Sequence, residues 1–436
     1  MSNIQIDFSR IVGAVKPMHA VNNGPVVASA VEQTRGNFPA YQAARIPYAR
    51  THDAAFYWHH CVDIIDIFPD FRNSPYDEDS YDFALTDDYL SNIMAAGTEV
   101  FFRFGSKIEH ERRKYGTKVP ADFHKFAVVC EHIIRHYNEG WANGFHHGIV
   151  YWEIWNEPDG RKSDGDQPNW SGTAEEFYEM YEITARHLKQ RFPHIKVGGP
   201  AMSYVGQPWF DHFLDYLVRD GGRVPLDFFS WHSYPNDPYW VANRAQYVRE
   251  RLDAHGYTET ESILNEYNYL LNFTDRFIDS ILGMIGIRGA AFTAAAMSVG
   301  QASSVDMMMY YDARPCAMNG MFDFYTLRVL KGYYPFLYFS DLYTLGNCVT
   351  ATSDDPDLFV TAAHGEEGDA FLLTYYQQEG VAPAARDVTI HTGKPGTWHI
   401  AVTDEGRDNA QTDLPTADGT LTFRMEPNTF LMARKA

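Results

Sequence analysis

Two glutamates in this 436-residue chain each close an apolar run. Val150-Tyr-Trp-Glu-Ile-Trp-Asn-Glu-Pro158 starts as β-branched and aromatic residues suited to a buried parallel strand and reaches Glu157 just before a proline that cannot continue a ladder. Ser262-Ile-Leu-Asn-Glu266-Tyr-Asn268 repeats the pattern. Two carboxyl groups at strand ends can divide labour. One keeps a proton for a departing oxygen while the other, ionised, attacks carbon, which is the acid pair of glycosidic-bond cleavage. A separation of about 5 to 5.5 Å suits retention of configuration, and about 6.5 to 9.5 Å suits inversion.

The elements that must position this pair are legible as an alternation. From residue 11, short apolar runs alternate with longer helical patterns, the signature of parallel strands joined by crossover helices. Strands are expected at 11–15, 46–51, 99–104, 149–155, 195–199, 227–232, 261–266 and 305–311, which predicts a closed (β/α)8 barrel of the TIM type over residues 11–330. Glu157 and Glu266 then end the fourth and seventh strands, across the mouth from each other. Thr173-Ala-Glu-Glu176 reads as a capping box ahead of a helix with Phe177, Tyr181, Ala185 and Leu188 on one face, and Pro193 stops it. A second helix is expected from Asp122 to Tyr137. Segments entering strands are short, whereas exits at 52–84, 105–121 and 156–172 are long and rich in Trp, Tyr, His and Asp, so the cleft belongs on the strand-exit face. After residue 330 the period becomes two, with Gly, Pro and Asp turns, which predicts an antiparallel β-sandwich over 331–436. Residues 1–10 alternate weakly through Ile4, Ile6 and Phe8 and would add an edge strand to that sheet.

Other polar groups gather at the expected strand ends. Arg50, in Tyr48-Ala-Arg-Thr-His52-Asp53, would be a costly unpaired charge inside a barrel, and Glu266 is the carboxylate expected to pair with it. His52 then faces sugar hydroxyls. If Glu157 is the member that keeps its proton, desolvation by Trp152 or Trp155 would raise its pKa, while hydrogen bonds and cations would keep Glu266 ionised. Trp58, Phe104, Tyr234 and Tyr310 are candidates to stack on sugar faces, although aromatics make up 15% of the chain and most serve packing.

The Trp155-Asn156-Glu157-Pro158 motif with a later strand-end Glu266 resembles the retaining glycoside hydrolases built on a (β/α)8 barrel. The wider run, with Lys16-Pro-Met-His-Ala-Val-Asn-Asn-Gly24 and Val197-Gly-Gly-Pro200, is similar to glycoside hydrolase family 39, the β-xylosidase and α-L-iduronidase family, over roughly residues 11–330. The resemblance implies Glu157 as acid/base, Glu266 as nucleophile, Asn156 on the sugar 2-hydroxyl, and His232 and Tyr234 lining the site and orienting the nucleophile. It implies no cofactor. One departure is Tyr267, where the family carries tryptophan after the nucleophile. The family covers β-D-xylosides, α-L-iduronides and arabinose-containing glycans. An iduronide would need a cation for its carboxylate, with Arg103, Lys107 and Arg314 near strand exits; the expectation is a neutral terminal pentoside, first a β-D-xyloside, taken from small oligosaccharides. A rival of another class is a sugar-binding protein without turnover, against which the intact glutamate pair counts.

Composition sets bounds around this. Lys+Arg of 36 against Asp+Glu of 57 gives a formal charge of −21, which repels nucleic acid and anionic lipid. The start, Met-Ser-Asn-Ile-Gln-Ile-Asp, has no basic or apolar leader pattern, and no stretch approaches the apolar length of a membrane span, so a soluble, cytoplasmic protein is expected. Cys61, Cys130, Cys316 and Cys348 form no Cys-x-x-Cys pair and read as reduced thiols. His132 and His136 stand four apart on a helix but lack the glutamate of a metalloprotease motif, so no metal is expected. No Gly-x-Ser-x-Gly, Walker or Gly-x-Gly-x-x-Gly motif occurs, which leaves serine-hydrolase, phosphate-loop and dinucleotide readings without an anchor. Oligomeric state is left open.

Overall fold

The computed structural model describes residues 2–27, 36–56, 59–107, 116–160 and 169–435. Eight parallel strands close a barrel in the order Ala20–Asn22, Tyr48–Arg50, Glu99–Phe104, Tyr151–Ile154, Lys196–Met202, Phe228–Ser233, Glu261–Tyr267 and Met307–Tyr310. Along each strand alternate residues face inward. The inward residues nearer the strand starts form an apolar plug of Ala20, Phe101, Tyr151, Phe228, Ile263, Met307 and Met309. Two residues further on, the inward positions become polar, including Arg103 after Phe101 and Glu153 after Tyr151, both fully buried. The barrel is therefore a closed floor with a polar layer at its exit.

The surrounding helices start and stop as their termini dictate. Thr173 and Glu176 close a reciprocal capping box, at 3.1 and 2.8 Å, ahead of the helix Ala174–Arg191. Asp122 caps Phe123–Glu139, which ends on Gly140 in the left-handed region at φ 77°.

Residues 11–15 do not form a barrel strand. Ser2–Ala14 is one continuous strand of the second sheet, antiparallel to Asn347–Ser353 and parallel to Arg386–His391, so it is interior to that sheet rather than at its edge. Ile11 and Val12 are 55% and 61% exposed, whereas a barrel strand is buried on both faces. The first barrel strand is the buried three-residue Ala20–Asn22, too short to print a periodic pattern.

The second sheet has nine strands in the order Ala410–Thr416, Gly396–Thr403, Phe430–Lys435, Gly368–Tyr375, Leu358–Gly365, Asn347–Ser353, Ser2–Ala14, Arg386–His391 and Thr420–Met425. It folds over on itself, so that Ile4, Phe8 and Ile390 share one core with Phe371, Trp398 and Ile400, and the Phe8 and Trp398 rings lie 5.9 Å apart. Its other face, including Ala363, Leu372 and Met432, is continuous with the barrel core through the helices Ile287–Ala302 and Tyr334–Leu345. Ile287–Ala302 is apolar nearly all round because it is buried nearly all round, from Gly289 to Gly300. Among the described residues no single helix is long and apolar enough to cross a membrane.

Candidate active site

The seventh strand carries Glu266 to the barrel rim, where two donors hold it. Arg50 Nη1 donates to Oε1 at 2.8 Å and the Tyr234 hydroxyl donates to Oε2 at 2.6 Å. Arg50, from the second strand, is fully buried and spends its whole fork: Nε on Glu153 Oε2 at 2.6 Å, Nη1 also on Asn22 Oδ1 at 3.1 Å, and Nη2 on Asn156 Oδ1 at 2.7 Å. Glu153 Oε1 in turn accepts from Ser230 and Asn265, both at 2.6 Å. Burial pushes the pKa of Glu266 up; the charges of His232 and Arg50 and the Tyr234 hydroxyl oppose this, and Glu157 adds to the rise. Burial also pushes His232 down to about 4, so its ring is neutral above that and Arg50 is the lasting counter-charge.

Past the fourth strand the chain turns through Trp155 at φ 75° and Glu157 at φ 49°, both in the left-handed region. The Glu157 amide donates to Ala201 O at 3.0 Å, and the Trp155 indole donates to Asn169 O at 3.0 Å, which pins the turn on both sides. Glu157 Oε1 lies 2.8 Å from His232 Nδ1, and Oε2 accepts from Asn169 Nδ2 at 3.1 Å. A neutral imidazole can accept from a protonated carboxyl or donate to an ionised one, so His232 suits both states of Glu157. One carboxylate oxygen of Glu157 and one of Glu266 lie within 4.8 Å of each other.

Around this pair sit buried polar atoms with no hydrogen-bond partner among the described residues: both ring nitrogens of His52, Asn156 Nδ2 and His232 Nε2. His52 Nε2 is 3.7 Å from Glu266 Oε1 and from Asp53 Oδ1. Its pKa is driven well down by burial first and then by Arg50, so the ring is neutral. Each unmet buried donor or acceptor costs about 1–3 kcal/mol, and several in one place fit a ligand rich in hydroxyls.

The profile of Glycosyl hydrolases family 39 matches residues 11–282. This chain belongs to glycosyl hydrolases family 39. Among curated proteins it is 26% identical over 151 residues to a β-xylosidase of Caldicellulosiruptor saccharolyticus, covering 34% of this chain and 27% of that protein. It is 28% identical over 164 residues to a β-xylosidase of Geobacillus stearothermophilus, covering 35% and 31%. The match therefore spans under a third of each of these relatives. Among solved structures, a glucosidase from Croceicoccus marinus superposes with a TM-score of 0.81 at 23% identity, covering 100% of this chain and 98% of that one. A monomeric β-xylosidase from Caulobacter crescentus CB15 gives 0.74 at 16% identity, covering 100% and 99%. These likenesses establish the fold across barrel and second sheet together.

In this family 39 barrel the structure brings Glu157, Glu266, Arg50, His52, Asn156, His232 and Tyr234 to one place, but not Phe104 or Tyr310. Phe104 is fully buried against Phe102 and Trp152 on the helix side of the barrel, both ring distances being 5.3 Å. The Tyr310 hydroxyl accepts from the Gly320 amide at 2.9 Å, and its ring packs on Phe336 and Tyr267. Tyr267, the departure from the family pattern, thus faces away from the rim. Trp152 also points outward, donating to Ile149 O, so it does not flank Glu157; Trp155 backs the Glu157 turn and packs on Trp170. Trp58 lies outside the described residues. Beside Tyr234, the site also receives Tyr311, one residue beyond the eighth strand, 6.4 Å from the rings of His52 and Tyr234 and donating to Asp53 Oδ2 at 2.8 Å.

Sequence reasoning also missed Glu153, Asn22, Asp53 and Asn169. Glu153 had a usable signal: a glutamate at an inward position of an apolar strand demands a buried cation. Two of the cations considered for an acidic sugar are engaged. Arg103 pairs with Asp63 at 2.7 Å, and Arg314 is bound by Asp312 at 2.7 Å and by Asp53 at 3.3 Å. Among the described residues Glu157, His232 and Glu266 are the one grouping with metal-like spacing, but Arg50 already supplies the positive charge at Glu266. His132 and His136 serve packing: His136 stacks on Phe83 at 3.6 Å and bonds Asp87, while His132 bonds Val128 O.

Proposed function

We propose that this family 39 protein is a retaining glycosidase that removes a neutral terminal pentose, first a β-D-xyloside, from small glycosides by double displacement. The observation that carries this is the convergence of Glu157 and Glu266 at one rim with carboxylate oxygens within 4.8 Å of each other, a pairing that favours the retaining separation of about 5–5.5 Å over the inverting one of about 6.5–9.5 Å. In the first step ionised Glu266 attacks the anomeric carbon while Glu157 gives its proton to the departing oxygen, forming a glycosyl ester. In the second, Glu157 takes a proton from water, which attacks the same carbon and frees Glu266. The Asn156 amide, turned by Arg50 so that its Nδ2 is unspent, suits a sugar 2-hydroxyl, a contact that strengthens as charge develops at the anomeric carbon. A neutral sugar is favoured because Arg314 faces two carboxylates, Asp312 and Asp53, and a uronate there would meet net negative charge. The curated β-xylosidases support the xyloside over other neutral sugars.

The test is a panel of p-nitrophenyl glycosides with the first-released anomer read by NMR. The β-D-xyloside is expected to give the highest kcat/KM and to release β-xylose first. Release of the α anomer would overturn retention, and turnover of none of the panel would leave the sugar-binding alternative. The pH profile carries a sign. Attack needs ionised Glu266, whose pKa is raised by burial, so the acidic limb of kcat/KM in the free enzyme is expected above the ordinary carboxylate value of about 4.3, with activity lost as pH falls through it. A limb at or below the ordinary value would contradict the assignment.

A further inference from the structure

Two residues beyond Glu157 the chain buries another carboxylate that the reaction does not consume. Asp159 Oδ1 accepts from the Ser203 amide at 3.0 Å, and Oδ2 accepts from the Ser203 hydroxyl at 2.8 Å, from the Tyr204 amide at 3.2 Å and from the Gln207 side chain. All four donors are neutral. The same segment accepts from the other end of the turn, where the Glu157 amide donates to Ala201 O at 3.0 Å. Glu157, a non-glycine residue in the left-handed region, is thus held from both sides by the end of the fifth strand and the loop that follows it, and Gln207 leads directly into the helix Pro208–Leu217.

We propose that Asp159 is a positioning residue for the acid/base step, latching the Glu157 turn to residues 201–207 and keeping a negative charge behind the carboxyl that must hold a proton. This rests on the reading of Glu157 as the acid. Both oxygens accept from backbone amides, so an asparagine would set its Nδ2 against a donor, and the position carries a buried carboxylate whose pKa is pushed up to about 6 by burial and by Glu157. The influence is mutual: like charge behind Glu157 favours its protonated form, the form that donates to the leaving oxygen. Among the described residues the groups facing Glu157 include His232, Glu266, Asn169 and Tyr234, and those facing Asp159 include Glu157, Tyr178, Ser203, Tyr204 and Gln207. An Asp159→Asn change removes one charge and leaves all the others in place.

The experiment compares the full-length chain with Asp159→Asn on two substrates of the preferred sugar, its disaccharide, whose leaving oxygen needs a proton, and its 2,4-dinitrophenyl glycoside, whose leaving group does not. The variant is expected to lose roughly 100-fold in kcat/KM on the disaccharide and under about threefold on the dinitrophenyl glycoside, with the alkaline limb moved to lower pH. Equal losses on both substrates with both limbs unmoved would reduce Asp159 to packing and overturn the proposal. Gln207→Met removes one donor without touching charge and keeps the test available if Asp159→Asn does not fold: a split of a few-fold in the same direction is expected, and its absence overturns the latch. Glu157→Gln runs in parallel. If that variant shows no split, the acid assignment itself falls; if it shows the split and the other two variants do not, only the latch falls.

Discussion

A Glu266→Gly variant is expected to lose roughly 10⁴-fold or more in kcat on an aryl β-D-xyloside and to regain turnover when azide is supplied. On the proposed mechanism this carboxylate forms the covalent intermediate, and its removal opens space directly above Arg50 Nη1 and the Tyr234 hydroxyl, which hold it at 2.8 and 2.6 Å. A small anion is drawn to that pair of donors and attacks from the face Glu266 occupied, so the product should be the α-glycosyl azide. The first step with an aryl leaving group needs no proton, and azide needs no base, so Glu157 is bypassed in the rescued reaction. An undiminished rate without azide would remove Glu266 from its role. The variant should remain folded, because Arg50 keeps Glu153 as counter-ion at 2.6 Å.

Arg50→Met is the contrasting case, with a large cost in both stability and activity. It leaves Glu153 and Glu266 buried with no cation, and breaking a buried pair by removing one partner costs about 3–5 kcal/mol out of the roughly 5–15 that hold a protein folded. The loss depends on pH with a definite sign. In the variant Glu266, already raised by burial, loses the Arg50 charge that opposed the rise, so its folded-state pKa lies above its unfolded one and the stability it contributes is present at low pH and lost as pH rises through the raised value. Thermal unfolding should therefore show a wider gap from the parent protein at pH 7.5 than at pH 5. Arg50→Lys keeps the charge but replaces a planar fork that reaches four acceptors by a point donor, so an intermediate loss is expected. A parent-like melting temperature for Arg50→Met at pH 7.5 would mean that the Arg50 cluster does not carry the site.

The second to eighth barrel strands could be read directly because each is a short, almost wholly buried stretch set between helical patterns, and the glutamates at two of their exits inherit their positions from those stretches. Ala20–Asn22 could not, since three residues print no period, and the more conspicuous Ile11 and Val12 drew the strand to the wrong sheet. The pairing of Arg50 with Glu266 followed from the cost of a buried lone charge, and the same rule applied to Glu153 would have completed the cluster. Tyr234 reaches the site, but two other aromatic assignments failed on parity. Phe104 and Tyr310 are the last residues of their strands, and which face a last residue takes depends on the twist and register of its neighbours, whereas Tyr311, one step later, turns into the mouth. Asp53 and Asn169 lie on exit loops, whose paths no periodicity specifies.

The strand Ser2–Ala14 takes its place between two partners that emerge more than 330 residues later, at Asn347–Ser353 and Arg386–His391. Residues 2–14 must therefore wait, unpaired, until those partner strands have left the ribosome, and closing so long a loop is an entropic delay that a chaperone would have reason to cover. A fragment ending after the eighth barrel strand would leave Ile4, Ile6 and Phe8 without partners and bare one side of the helix Ile287–Ala302. Exchange of the C-terminal module between relatives would accordingly have to carry the first fourteen residues with it.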